Sequence, residues 1–373
     1  MNFIDLKSQY NIIKDIVDSS LQNVLDHGAY IMGPEINQLE SRLAEYASTK
    51  YALTCSSGTD ALLLPLMAWG IGPGDAVFTS PITFIATAEV IHLLGATAVF
   101  VDIDSDTFNI NPDKLNESIK QVNSEGKLTP KAIIPVDLFG LTADYDAINK
   151  IAESHNLYVL EDAAQSFGAE YKGNKSCSLA HCAATSFYPA KPLGCYGDGG
   201  AVFTDDEEMY KLLVSFRVHG QGEDRYNNDR IGINGRMDTM QAAILLAKLT
   251  IFDDEIKKRN EVAAKYSDLL NSKIITPIVP KGYLSVWAQY SVLAENSVQR
   301  ERIMSHLKLN GIPSVIYYPK PLHLQKAFKN LNYKYGDFPV SESVSERIFS
   351  LPMHPYLKDE EIQLICDKII EIL

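Results

Sequence analysis

Residues 131–162 read KAIIPVDLFGLTADYDAINKIAESHNLYVLED, and this stretch decides the fold. Lys131–Asp137 and Leu157–Leu160 are short apolar runs of strand type, and the DYDAINKIAESHN between them is helical in pattern. Strand, helix, strand in that order gives two parallel strands joined by a right-handed crossover. The same alternation extends outward on both sides. Upstream lie Thr97–Asp102, then Asp75–Thr79 with a helix over Ile82–Leu94, then Tyr51–Cys55 followed by SSGTDALLLPLMAWG, a glycine turn opening a helix. Before them Ile12, Ile16, Val17, Leu21, Val24 and Leu25 predict one helix over residues 8–27 that stops at Gly28, and a second follows Pro34. Downstream, Ala183–Phe187 and Gly200–Thr204 close the strand set.

From Met237 the pattern predicts one long helix to about Leu270. Strand-like pieces (Trp287–Leu293, Pro313–Tyr318) and two helices, near 297–309 and 358–372, complete the chain. The expectation is an α/β protein: a large, mainly parallel sheet domain over residues 1–245, then a connecting helix and a smaller α+β domain over 246–373.

Composition narrows the function. Of 373 residues 46% are hydrophobic and 22% charged, an ordinary soluble balance. A net charge of −13 argues against nucleic acid as a partner, because a phosphate backbone needs a basic face. Five scattered cysteines read as reduced thiols in a cytoplasm. The opening MNFIDLKSQY has no apolar signal region, and no uncharged run approaches the ~20 residues of a membrane helix.

Four places after strand runs stand out, where open α/β sheets bind ligands. Gly58-Thr59, in CSSGTD, is a small turn at a helix start, which offers N–H groups and a positive dipole end to an anion. It lacks the lysine of a nucleotide-binding P-loop, and its plainer reading is a helix cap. Glu161-Asp162, heading EDAAQS, can aim one carboxylate into a crevice, where it would hold a pyridine nitrogen protonated; the bland alternative is a cap with a solvated neighbour. Lys191, in SFYPAKPLG, stands among apolar and small residues between two prolines, with no other charge until Asp198. A lysine kept from water becomes an amine nucleophile or base, whereas one in a surface loop simply reaches solvent. Ser186 adds a hydroxyl. Arg236, in NGRMD, suits a carboxylate or phosphate. Together these fit a cofactor with a phosphate, a pyridine nitrogen and an aldehyde.

The segments GAYIMGPE, SSGTDAL, EDAAQSFGA, SFYPAKPLGCYGDGGA, RVHGQG and NGRMDTMQAAIL resemble the DegT/DnrJ/EryC1/StrS family of sugar aminotransferases, over essentially the whole chain. The resemblance implies PLP fold type I (aspartate aminotransferase-like), pyridoxal 5'-phosphate as cofactor, and a homodimer with sites at the subunit interface. It implies Lys191 as the Schiff-base lysine, Asp162 on the pyridine nitrogen and Gln165 on the ring hydroxyl. Gly58, Thr59 and Ser186 would hold the phosphate, joined by Asn234 from the partner subunit, and Phe84 would stack on the ring. Glutamate would donate the amine. The acceptor would be a nucleotide-linked ketosugar, since the chain is most similar to enzymes that aminate UDP-2-acetamido-2-deoxy-3-oxo-glucuronate in O-antigen synthesis. Arg236, Tyr317, Tyr318 and His323 fall where this family meets the sugar. Close relatives read His-Tyr-Pro where this chain reads Tyr317-Tyr318-Pro319, and that leaves a neutral 3-oxo or 4-oxo-6-deoxy sugar open. Three other readings carry less weight. They are a histidine-bearing dehydratase relative, a non-catalytic sensor of the same fold, and a metal site on Cys177, His181 and Cys182 that lacks enough ligands.

Overall fold

The computed structural model describes residues 1–373 apart from Arg225. Helices α1 (Leu6–Ile12), α2 (Lys14–His27) and α3 (Pro34–Ala47) lead into strand β1 (Tyr51–Cys55) and helix α4 (Gly58–Ala68). Then come β2 (Asp75–Thr79), α5 (Ala86–Leu93), β3 (Thr97–Phe100), α6 (Pro112–Glu125), β4 (Thr129–Ile134), α7 (Tyr145–His155) and β5 (Tyr158–Asp162). Two short strands, β6 (Glu170–Tyr171) and β7 (Asn174–Lys175), precede β8 (Cys182–Ser186), β9 (Gly200–Thr204), α8 (Glu207–Arg217), α9 (Thr239–Leu249) and α10 (Phe252–Leu270). The remainder is β10 (Tyr283–Leu284), β11 (Tyr290–Leu293), α11 (Ser297–Leu309), α12 (Pro339–Arg347), β12 (Ile348–Leu351) and α13 (Asp359–Ile370).

Seven strands form the main sheet in the order β1-β9-β8-β5-β4-β2-β3. Every neighbouring pair from β8 to β3 is parallel, and β9 alone runs against both its neighbours. The strands are almost wholly buried, as expected of a sheet covered on both faces. On one face Leu53, Val77, Leu160 and Val202 pack with α4 and α5. On the other, Phe78, Ile133 and Val159 pack with α6 and α7. A separate core joins α10, β11, α11, β12 and α13 around Tyr266, Tyr290 and Phe349.

The predicted strand set is present, and α7 begins where Asp144 accepts a hydrogen bond from Ala147 N and ends at the left-handed Asn156. Three expectations need correction. The helix over 8–27 is two, broken at Ile13, which leaves helical geometry and buries itself against Ile244 and Ala247. Of its supposed inner face Val17 and Val24 are buried, while Ile12, Ile16 and Leu25 are exposed. The long helix is also two, α9 and α10: the Thr250 hydroxyl bonds back to Ala247 O at 2.6 Å, and Ile251 leaves helical geometry. Pro313–Tyr318 makes only the isolated bridge between Val315 and Ser350, too little for a strand.

Candidate active site

Three strands build one end of the site. Gly200, at the start of reversed β9, pairs with Cys55 on one side and Ser186 on the other, so β1 and β8 end level with each other. The chain leaving β1 turns at Ser57, whose hydroxyl caps α4 by accepting Asp60 N at 3.1 Å. The first N–H groups of that helix have no partner inside it. A Cβ built on Gly58 would stand 2.6 Å from Ser186 Cβ, so only glycine lets the turn approach Ser186 this closely. Gly58 and Ser186 therefore meet in one small cup of N–H and O–H groups, with Thr59 next along the helix start.

The second part is acid and amine. Asp162 ends β5, 3% exposed; its Oδ2 accepts from the Thr87 hydroxyl at 2.8 Å and its Oδ1 from Ala164 N at 3.2 Å. Burial raises its pKa, opposed by Thr87, by the Ala164 N–H and by the charge of Lys191. Burial lowers the Lys191 pKa, opposed by Asp162. Each thus lies within electrostatic reach of the other, which residues on opposite sides of the sheet would not. Lys191 as a residue is half-buried, and protein crowds its amine. Glu161 faces away, because successive strand residues alternate. It is no solvated neighbour: fully buried, it accepts from Ser176 Oγ at 2.9 Å, Cys177 N at 2.7 Å and Leu179 N at 3.1 Å.

Other elements deliver the remaining candidates. Phe84 sits one turn before Thr87 in the loop entering α5 and is 57% exposed. Gln165 is buried; its Oε1 accepts Phe139 N at 2.8 Å and its Nε2 donates to the Tyr318 hydroxyl at 3.4 Å. Tyr318 lies close enough to Asp162 to feel its charge, and Tyr317 stands near Tyr188 of the Lys191 loop. His323 is turned inward instead: its side chain has no exposure, and its Nε2 lies 3.0 Å from Glu342 Oε1. Packing of Phe338 against its ring holds it there, behind the expected sugar contacts. Asn234 is exposed, and beside it Gly235 O accepts Ser56 N at 2.9 Å, which ties this segment to the cup. Arg236 lines a cleft of about 620 Å³ with His219 and Arg230, and its buried Nε has no hydrogen-bond partner among the described residues. Neither Lys191 nor Asp162 lines that cleft. Sequence reading missed Thr87, whose place in the first turn of α5 carries no distinctive signal.

The cup, the buried acid and the lysine fit pyridoxal 5'-phosphate: a helix start beside a serine hydroxyl for a phosphate, a carboxylate for a ring nitrogen, an amine for an aldehyde. Residues 11–370 match the DegT/DnrJ/EryC1/StrS aminotransferase family. The chain belongs to that family. It is 49% identical over 369 residues, 98% of each chain, to the UDP-2-acetamido-2-deoxy-3-oxo-D-glucuronate aminotransferase of Pseudomonas aeruginosa. Among solved structures, a DegT DnrJ EryC1 StrS aminotransferase from Brucella abortus superposes with a TM-score of 0.96 at 50% identity, covering 99% of this chain and 98% of the other. A sugar aminotransferase from Streptococcus pneumoniae in its PLP form superposes at 0.89 with 29% identity, covering 96% of each. The protein is a PLP-dependent sugar aminotransferase of fold type I, which moves an amino group onto a nucleotide-linked ketosugar. Among the described residues no helix is long and apolar enough to cross a membrane.

Proposed function

We propose that this aminotransferase takes its amino group from glutamate and delivers it to the keto carbon of UDP-2-acetamido-2-deoxy-3-oxo-glucuronate, for O-antigen or another surface polysaccharide. The observation that carries the choice of a uronate is Arg236: a guanidinium with a buried, unpartnered Nε on the wall of a cleft suits a carboxylate. The likeness to the Pseudomonas aeruginosa enzyme supports the same sugar. A neutral 3-oxo or 4-oxo-6-deoxy sugar is the second reading, favoured by Tyr317, which keeps a hydrogen bond but offers no cation. Tyr317 and Tyr318 would meet the sugar, with His323 backing their segment through Glu342.

When bound, the cofactor supplies an aldehyde for amines and a ring that accepts electrons. Lys191 supplies the amine. Its lowered pKa keeps more of it neutral, the form that acts as nucleophile and, once freed, as the base that moves a proton at Nζ. Asp162 would hold a proton on the ring nitrogen; burial raises its pKa, and Thr87 and the Ala164 N–H oppose that by favouring the ionised form. Gln165 would meet the ring hydroxyl and Phe84 the ring. Gly58, Thr59 and Ser186 would hold the phosphate, with Asn234 of a second copy. Glutamate leaves as 2-oxoglutarate before the sugar enters, so kinetics are ping-pong.

A homodimer with shared sites accounts for a cleft that holds Arg236 but not Lys191. The division into residues 1–245 and 246–373, and a cytoplasmic location, belong to the same reading. Single-turnover assays with the UDP-3-oxo-uronate and with a 4-oxo-6-deoxy sugar nucleotide test the substrate. Amination of the uronate, weakened in Arg236→Gln, is expected. Amination of the neutral sugar alone would overturn it.

A further inference from the structure

Lys248 is a buried cation that none of the roles above uses. It lies on α9, 1% exposed, and among the described residues it has no carboxylate in ion-pair contact. Its Nζ donates to Gly194 O at 2.5 Å and stands 4.3 Å from the centre of the Tyr196 ring. Glu255 acts on it only at a distance; the Glu255 carboxylate accepts from Gln9 Nε2 at 2.9 and 3.0 Å and from the Tyr356 hydroxyl. Desolvation by burial lowers the Lys248 pKa to about 8.

Gly194 is the neck of the loop that carries Lys191. A Cβ there would meet Tyr188 O at 2.7 Å and Pro189 O at 2.6 Å, so the two legs of the loop touch at this point. Cys195 N closes the neck by bonding Phe187 O at 2.8 Å, and Lys191 N bonds Tyr188 O at 2.8 Å nearer the tip. The outgoing leg rests on α9 twice: at Lys248, and at Gln241, whose Oε1 accepts Tyr196 N at 2.9 Å.

Burying an ammonium against one carbonyl and a ring face costs stability; a methionine of similar length would avoid that cost but leave the Gly194 carbonyl unpaired. The two effects oppose each other, so net stability gives the charge little reason to be there. It has a geometric one. We propose that Lys248 is a positioning residue for transamination: its hold on the Gly194 carbonyl keeps the 187–199 loop closed and fixes where the Lys191 amine stands.

Lys248→Met tests this, with Lys248→Gln as a second variant that keeps a shorter donor. The expected result for Lys248→Met has three parts. Thermal stability stays close to wild type. kcat falls about tenfold or more with KM for glutamate nearly unchanged. In the apoenzyme, Lys191 is reductively methylated at a changed rate, read by mass spectrometry of its peptide. Lys248→Gln should recover part of the lost kcat. Wild-type kcat and Lys191 labelling in a folded Lys248→Met would overturn the proposal. So would a loss of thermal stability in both variants with kcat unchanged in the folded fraction, because Lys248 would then be structural only.

Discussion

Replacing Gly58 by alanine puts a methyl group 2.6 Å from Ser186 Cβ, 2.9 Å from its Oγ and 3.2 Å from its Cα. Carbon atoms rest at about 3.5–4.0 Å, so the turn and Ser186 must part by about 1 Å. The hydroxyl could rotate away, but Cβ and Cα are fixed by strand β8, which is held between β5 and β9. Overpacking of this kind costs about 1–3 kcal/mol of stability. The larger effect falls on the phosphate. Hydrogen bonds to a charged group contribute about 1.5–3 kcal/mol each, so stretching two of them costs about 3–6 kcal/mol of cofactor binding. That is a loss in affinity of roughly a hundredfold or more. The assay is titration of apoenzyme with pyridoxal 5'-phosphate, followed by visible absorbance, beside a thermal melt. Gly126→Ala is the control: its φ is +63° and nothing lies within 4 Å, so it should lower stability and leave cofactor affinity alone. A Gly58→Ala enzyme that binds the cofactor within about threefold of wild type would refute the cup as the phosphate site.

Thr87→Val removes the 2.8 Å bond to Asp162 and should lower kcat by roughly ten- to a hundredfold, since about 1.5–3 kcal/mol of support for the ionised acid is lost; unchanged kcat would count against Asp162 acting as a carboxylate. Lys191→Ala should stay folded by circular dichroism yet lose all turnover and the visible absorbance of the lysine-bound cofactor. Capture of cofactor by the apoenzyme should speed up as pH rises and reach half its maximum below the ordinary lysine value of 10.5, because the Lys191 pKa is lowered and the neutral amine reacts; stopped-flow absorbance reads this. Burial lowers the His323 pKa below 6.5, so below that pH the unfolded chain takes up a proton that the folded chain resists. Wild type should therefore lose stability relative to His323→Phe as pH falls below 6.5, measured by urea melts.

Much of the site lay open in the sequence because its parts are local. The turn at Gly58, the acid at Asp162 and the isolated Lys191 each follow a strand within a few residues, where small residues, one carboxylate or one lysine stand out. The helix breaks at Ile13 and Thr250 did not stand out. Both lie in runs whose apolar spacing continues through the break, and what ends each helix is packing and a side-chain bond made in the fold. His323 looked like a sugar contact beside Pro321-Leu322, but its Nε2 lies against Glu342, brought in by α12, and Phe338 packs on its ring.

The chain alone determined that strands and helices alternate, that one lysine sits apart from other charges, and that small residues follow the first strand. These are matters of period and of neighbours along the backbone. Folding decided which of those residues meet. Reversed β9 sets Ser186 level with the Gly58 turn, the Asp162 carboxylate comes to face Lys191, and Tyr318 crosses to Gln165 from the far end of the sequence. Such pairings depend on sheet order and register between distant segments, which no local spacing encodes.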